Sequence, residues 1–386
     1  MLLENKHIAI VGGGPGGLTL AKLLELKGAK VNVYERDADK TARQQGATLD
    51  LHENSGLEAL RRANLMDEFY ARYRSNAGKL RIVDEQAIIH SDDHDNNSNS
   101  EDERPEIDRQ PLRNILIDSL QQNTIVWDSH FDAMEKQNNG WLLSFRNGTS
   151  AYADIVIGAD GANSKIRPYI TNIQPIYSGI TIVEGNVYNA EKNAPKLWKL
   201  VKSGKIFALY NEQSIILSAK GDGSLSFYTG CKTAENWVTK SGINFNNKQQ
   251  VFDWFKSVFG KWDTIWHELF ESNELWFVPR PQYHFPLSQS WNTMSNLTII
   301  GDAAHRMPPY AGEGVNQAMQ DALELSNGLT SNTFSNIKEA ISHYEKEMQK
   351  RTSEITSITL ESMKRMHSKN GLKKLLNMFN EIKDRE

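Results

Sequence analysis

Ile8-Ala9-Ile10-Val11-Gly12-Gly13-Gly14-Pro15-Gly16-Gly17, near the start of the chain, is a short apolar strand running into a glycine-rich turn. The glycines fit the spacing G-x-G-x-x-G. Gly12 permits the tight turn, Gly14 lets a diphosphate approach the backbone, and Gly17 lets helix and strand pack closely. Leu18 to Leu26 reads as a helix stopped by Gly28, and Val31, Val33 and Tyr34 read as a second strand, so residues 8–35 form one βαβ unit. Glu35 closes that strand, 23 residues after Gly12, where a carboxylate accepts hydrogen bonds from a ribose 2′-OH. Phosphate would sit on the exposed N–H groups and the positive end of the helix. The stretch therefore predicts a bound dinucleotide, with Arg36 facing its adenine or solvent.

Two later strand ends narrow the choice of dinucleotide. Asp154-Ile155-Val156-Ile157 leads into Gly158-Ala159-Asp160-Gly161, and Leu297-Thr298-Ile299-Ile300 leads into Gly301-Asp302. Three strands ending in small and acidic residues predict one parallel sheet assembled from distant parts of the chain. After Asp302, two prolines and two glycines feed a new helix at Gly314. An acidic side chain suits the hydroxyls of a ribityl chain, and the helix start offers N–H groups to a flavin pyrimidine edge. FAD fits this set better than a diffusing nicotinamide.

Between the last two strands the texture changes. Ile180 to Tyr188, Ile206 to Tyr210, Ile215 to Ser218 and Leu225 to Gly230 read as strands separated by Gly and Asn turns, a second domain inserted in the first. Helical periodicity takes over after Gly314 and runs to Asn380, with a break near Gly371. The stretch from Ser91 to Arg104 is too polar to bury, and its His94 among Asp92, Asp93 and Asp95 reads as a hydrated loop, not a metal site. The fold class expected is α/β: a Rossmann-like FAD-binding domain, an inserted mixed β-sheet substrate domain and a long C-terminal helix. The FAD-binding part takes residues 1–75, 104–171 and 276–325, a mobile acidic loop region 76–103, the substrate sheet 172–275, and C-terminal helices bridging the domains 326–386.

Composition excludes other functions. With 44 Lys plus Arg against 48 Asp plus Glu, the net charge of −4 lacks the basic field that nucleic acid needs. The one cysteine, Cys231, makes neither an internal disulfide nor a cysteine metal cluster, which fits a reducing compartment. No stretch approaches the ~18 uninterrupted apolar residues of a membrane helix, and Met1 to His7 shows no export signal. A soluble, cytoplasmic protein without nucleic-acid or membrane partners is expected.

The three motifs, in this order and over nearly the whole chain, resemble those of the class A FAD-dependent monooxygenases of the aromatic hydroxylase type. Within that family the likeness is to the tetracycline-inactivating flavin monooxygenases. It is carried by Val33-Tyr34-Glu35-Arg36-Asp37, Thr48-Leu49-Asp50-Leu51-His52, Glu106-Ile107-Asp108-Arg109 with Leu112-Arg113, and Gly301-Asp302-Ala303-Ala304-His305 with Met307-Pro308-Pro309. The resemblance implies that Gly12, Gly14, Gly17, Glu35, Arg36 and Arg43 line FAD on one side. On the other it implies Asp50, Arg109, Asp302, Gly314, Val315 and Asn316. Asp160, Gly161 and Arg167 form the stretch linked to the FAD diphosphate and to NAD(P)H use. Arg113 reads equally as a helix-surface charge, and His305 as a structural histidine of its loop. The chain also departs from the family. Members that destroy tetracycline hold the drug with a Gln, an Arg and a His; those positions fall on Lys199, on Lys205 or Ile206, and on Ser226, with Tyr228 where a Gly would leave room. Glu313 stands where an amide is expected, and an ionised carboxylate beside reduced flavin opposes its negative charge unless it faces water.

The chemistry implied is hydride transfer from NADPH to FAD, addition of O2 to give a C4a-hydroperoxyflavin, and transfer of one oxygen to an electron-rich phenol or enol, a tetracycline antibiotic among the candidates. No protein residue is expected to be catalytic, with Pro309 and Gly312 near the flavin ring. The expected pocket walls are Lys199, Phe207, Leu217, Ser226, Tyr228 and Leu372, with Trp198 and Tyr210 as further candidates. The resemblance suggests a monomer. Competing readings are a flavin-dependent reductase, a halogenase and a non-catalytic aromatic-ligand-binding flavoprotein. Trp276-Phe277-Val278-Pro279 lacks the W-x-W-x-[IL]-P signature of the halogenases.

Overall fold

His7–Val11 is the central strand of a five-stranded parallel sheet in a computed structural model that describes residues 2–42, 46–94, 105–272 and 274–383. Its neighbours are Ile155–Gly158 on one side and Lys30–Tyr34 on the other; Leu297–Ile299 and Ile125–Val126 complete the order. Ile8, Ala9 and Ile10 are fully buried, as the uninterrupted apolar run requires of a strand covered on both faces. Helices Pro15–Glu25 and Gly314–Thr330 pack together against this sheet, and Ile337–Met366 packs on the second of them. The molecule is a mixed α/β protein, and none of its described helices is long and apolar enough to cross a membrane.

A seven-stranded mixed sheet stands over the first. Its order is Leu275–His284, Ile176–Val187, Leu225–Lys232, Gln213–Ala219, Lys205–Tyr210, Leu80–Val83 and Ile89–Asp92. All pairs are antiparallel except Lys205–Tyr210 with Leu80–Val83. Two boundaries expected from the sequence shift as a result. Residues 80–92, expected in a mobile loop, form a hairpin at the sheet edge, because Leu80–Val83 finds a parallel partner more than a hundred residues downstream. Residues 276–284, expected in the FAD-binding part, belong to the strand Leu275–His284, which pairs along Ile176–Val187 in the large sheet. The acidic residues 95–104 lie outside the described residues.

The alternation of strand side chains gives this sheet two different faces. Leu217, Phe227, Ile206 and Val183 point into an aromatic core with Phe255, Trp266 and Phe270, where Phe255 and Phe270 stack at 4.3 Å between centroids. Their neighbours in sequence, Ile216, Tyr228, Phe207 and Ile182, point the other way, into a cavity. Beyond Ile337–Met366 the chain breaks as expected, and Gly371–Lys383 lays Leu375 and Phe379 against Phe207 and Ile82.

Candidate functional site

The glycine turn is built so that only glycine fits at its tightest points. Gly12 has φ 113°, and a Cβ there would lie 2.3 Å from the Ala159 carbonyl oxygen; a Cβ on Gly17 would lie 2.2 Å from the Gly12 oxygen. Gly14 caps the helix Pro15–Glu25, and a Cβ there would meet nothing within 4 Å, so that side of the turn is open. Glu35, 2% exposed, accepts from Gly13 N at 2.5 Å and from Asp37 N at 3.0 Å, fastening the turn to the second strand. Arg113, left open to a helix-surface reading, is buried beneath the turn. Its guanidinium donates to Asp37 Oδ2 at 3.1 Å and Lys40 O at 3.2 Å, and lies 5.5 Å from the Trp127 ring centroid.

From Gly14 a single cavity of about 920 Å³ runs to the open face of the large sheet. Its volume is at the upper end for small-molecule sites. Asp302 and Arg109 are exposed into it, and neither side chain makes a hydrogen bond among the described residues. Arg109 opens the helix Arg109–Asp118, with its Nε 2.5 Å from where a Gly46 Cβ would stand. A cation and a carboxylate that face one cavity without a hydrogen bond among the described residues, with a glycine turn at the cavity's end, fit the diphosphate and polyol of a dinucleotide. Midway, Asp50, Gly312, Gly314 and Val315 line the wall where the helix Gly314–Thr330 begins. Asn316 is fully buried and does not line the wall. Its side chain ties Asp50 O (2.9 Å), His52 N (2.9 Å) and Gly312 O (3.4 Å) together.

Other expected residues sit elsewhere. Gly161 lines the cavity, but Asp160 turns its carboxylate to Ser164 Oγ, Lys165 N and Ile166 N, and burial raises its pKa. Arg167, expected in the stretch linked to the FAD diphosphate and to NAD(P)H use, is 5% exposed. It donates to Ala303 O and Ala304 O at 3.0 Å and lies 3.5 Å from the Phe285 ring, and burial pushes its pKa down to about 10. It braces the Asp302 loop from behind. Arg36 is exposed outside the cavity, and Arg43 lies outside the described residues.

At the substrate end, Phe207, Tyr228, Pro309 and Gly312 line the cavity. Lys199 does not: it lies exposed on the helix Pro195–Val201, off the sheet altogether. Leu217 faces the aromatic core because its strand parity is opposite to that of Ile216. Ser226 shares the parity of Tyr228 but is 1% exposed behind the wall, and Leu372 packs beside Leu375 without reaching it. Trp198 and Tyr210 pack against the aromatic core. The polar groups that do face the cavity include Glu184, which the sequence reading did not name, 2% exposed and paired with Arg280, and Glu106, named there only within its motif, 3% exposed and paired with Lys205. The Tyr228 hydroxyl lies 3.5 Å from Glu184 Oε1 and accepts from Ala47 N at 3.3 Å; burial first, then that carboxylate, raises its pKa. Burial likewise raises Glu106. Strand alternation flags Glu184, which shares a face with Ile182.

At the rim of this cavity, which Asp93 lines, Asp92, Asp93 and His94 bring ligand-type atoms within 4.8 Å of one another. All three are engaged by protein groups: His94 Nδ1 by Asp92 at 2.7 Å, Asp92 also by Arg81 at 2.9 Å, and Asp93 by Leu80 N at 2.5 Å.

A parallel sheet with a glycine turn at its first strand end, an aspartate at its last, and one cavity leading from both to an inserted mixed sheet defines an FAD-dependent monooxygenase of the aromatic hydroxylase type. The chain belongs to this class A family, matching the FAD binding domain family over residues 5–359. It is 28% identical over 374 residues to the monooxygenase asqM of Emericella nidulans, covering 83% of each chain. It is 27% identical over 329 residues to the 3-amino-4-hydroxybenzoate 2-monooxygenase PtmB3 of Streptomyces platensis, covering 83% of this chain and 78% of that one. Its fold is shared with the tetracycline destructase Tet(51) at a TM-score of 0.71 and 18% identity, over 97% of this chain and 94% of the other.

Proposed function

We propose that the protein uses NADPH, O2 and FAD to hydroxylate an electron-rich phenol or enol bound between the loop Pro308–Gly312 and the open face of the large sheet. The observation that carries this reading is the continuity of the cavity, which joins a dinucleotide cradle to a mixed polar and apolar wall without a break. Bound FAD supplies the redox chemistry: two electrons from NADPH reduce O2, one atom of which enters the substrate while the other leaves as water.

The chain's own groups bind, orient and exclude water. Gly12, Gly14 and Gly17 admit the diphosphate to the start of the helix Pro15–Glu25, and Arg109 meets its charge. Glu35, buried behind the turn, fixes the backbone at the ribose end through Gly13 N and Asp37 N. Asp302 holds the polyol chain, and the N–H groups of Gly314 and Val315 face the pyrimidine edge. On the substrate side, Phe207 and Ile216 contribute apolar surface, while Tyr228 and Lys205 provide hydrogen bonds to a phenol or enol oxygen. Closure by Gly371–Lys383, whose Leu375, Met378 and Phe379 line the cavity, keeps water from the reacting atoms. NADPH docks transiently from outside, since the chain has no second glycine-rich nucleotide motif. The family resemblance suggests a monomer as the active unit.

The relatives named as monooxygenases of hydroxylated aromatics support the substrate class, and the shared fold of Tet(51) makes tetracyclines candidates. The test is mass spectrometry of a phenol panel and a tetracycline, each incubated with yellow protein, NADPH and air. A product one oxygen heavier, formed only with NADPH and labelled from 18O2, is expected for at least one compound. Reduction without added oxygen would point to a reductase, and a failure of every ligand to raise NADPH consumption would point to a binding protein.

A further inference from the structure

The face of the large sheet that looks into the cavity changes from polar to apolar along one line. Strand register sets Glu184 opposite Tyr228, Tyr228 opposite Ile216, and Ile216 opposite Phe207, a row across four strands. At ~4.8 Å between strands the row is roughly 14 Å long, the reach of an elongated substrate of two or more rings and not of a single ring. One end is apolar, with Phe207 beside Leu375 and Phe379 of the helix Gly371–Lys383. Tyr310 of the loop Pro308–Gly312 belongs to the apolar clusters of both halves, with Ile182 and Tyr228 in one and with Ile216 and Phe207 in the other, so the loop faces the middle of the row. The other end is charged. Arg280, on the edge strand Leu275–His284, is the register partner of Ile182, and its Nε donates to Glu184 Oε2. The Tyr228 hydroxyl donates to Glu184 Oε1 at 3.5 Å, so both oxygens of this buried carboxylate are engaged. The guanidinium is not spent in the same way. The Arg280 side chain is 42% exposed and lines the cavity, and its two terminal nitrogens make no hydrogen bond among the described residues.

The pair thus has its negative end sealed in the wall and its positive end in the cavity. With Nε fixed on Glu184 the guanidinium plane is set, and the terminal N–H groups form a planar fork that matches the two oxygens of a carboxylate. We propose that the substrate is an elongated aromatic acid, its carboxylate held by the terminal nitrogens of Arg280 and its apolar end laid over Ile216 and Phe207. This names the substrate class of the site proposed above and rests on that reading, in which a phenol or enol is oxygenated between the loop Pro308–Gly312 and this sheet face. Anchored at both ends, the substrate has a fixed ring atom under the loop. A neutral phenol leaves the fork to water, and a single-ring acid held by the fork falls short of Phe207; each keeps one anchor of the two.

The test uses FAD-loaded protein with four probes: a hydroxybiphenyl carboxylate, the matching hydroxybiphenyl without the acid, para-hydroxybenzoate and phenol. Mass spectrometry reads NADPH-dependent oxygen insertion, and steady-state rates give kcat/KM. The two-ring acid is expected to exceed each of the other three by about tenfold or more. Arg280→Gln is expected to lower kcat/KM for that acid roughly thirtyfold, chiefly through KM, and to change it less than about threefold for the neutral hydroxybiphenyl. Arg280→Lys, which keeps the charge and loses the fork, is expected to recover only part of that loss. Equal kcat/KM for the two-ring acid and its neutral partner, an equal loss for both in Arg280→Gln, or a rise in KM confined to NADPH overturns the proposal. Should Arg280→Gln fail to fold, the wild-type preference decides alone. If none of the four is oxygenated while other phenols or enols are, the proposal falls and the function reading stands; if no phenol or enol is oxygenated, both fall.

Discussion

Two arginines of the motifs have opposite fates. Arg109 is exposed into the cavity without a hydrogen bond among the described residues, whereas Arg167 is buried with its guanidinium on two backbone carbonyls and an aromatic face. Arg109→Ala should therefore leave the melting temperature of the FAD-free protein within a degree or two while weakening FAD by about 2 kcal/mol, roughly thirtyfold in Kd. Fluorescence titration with FAD checks it; an unchanged Kd would remove Arg109 from the cofactor site. Arg167→Ala should do the reverse. Loss of the donors to Ala303 O and Ala304 O and of the packing on Phe285 should cost about 3 kcal/mol of stability with or without FAD, read by urea denaturation. In sequence the two residues look alike, each a basic residue following an acidic motif. Burial, decided by Phe285 and Trp291 more than a hundred residues away, separates them.

The large sheet sorts its residues by parity. Ile216 is half-buried at the cavity and Leu217, one position on, is fully buried in the aromatic core. Leu217→Ala should cost 2 to 5 kcal/mol, as large-to-small changes in a packed core do, and Ile216→Ala about 1. Only the second should raise the KM for the aromatic substrate more than it lowers the melting temperature. Thermal melts and steady-state kinetics on the pair decide it; equal destabilisation with unchanged KM would mean that the cavity face is not the substrate face. The same parity explains what could be read from sequence and what could not. The glycine turn, Glu35 and the strand ends at Asp160 and Asp302 were legible because each is a local pattern whose spacing fixes its geometry. The strands of the large sheet were legible too, but their inward face was not, since Leu217 and Ile216 are equally apolar. Lys199 was expected on the pocket wall, but its Pro195-led segment is a helix that carries it away from the cavity. The hairpin at residues 80–92 was hidden because its partner strand is distant in sequence.

At the scale of the whole molecule, the C-terminal helices, the large sheet and the loop Pro308–Gly312 meet at one residue. His367, 2% exposed, ends the helix Ile337–Met366. Its Nδ1 lies 3.0 Å from Glu212 O at the turn of a sheet hairpin, and its Nε2 lies 2.9 Å from the Tyr310 hydroxyl. Because Glu212 O can only accept, Nδ1 carries the proton, and Nε2 accepts from Tyr310, whose pKa burial raises. The ring is therefore held neutral, and burial pushes its pKa down to about 4. The folded state then binds fewer protons here than the unfolded chain, whose histidine titrates near 6.5. This contribution to stability is fully present above pH 6.5 and is lost as the pH falls toward 4. It amounts to on the order of 3 kcal/mol across that window. Glu345 and Asp160 have pKa values raised by burial, so their contributions run the other way and fade as the pH rises through their folded values. Wild-type melting temperature alone would therefore mix opposing slopes, and the difference between wild type and His367→Gln isolates one of them. That difference should be largest near pH 7 and shrink toward pH 4.5, with Gln still able to bridge Tyr310 and Glu212 O. A constant difference between the two proteins across pH 4.5 to 8 would mean that His367 titrates alike folded and unfolded, and that the junction of helix, sheet and loop is not held by a buried neutral imidazole.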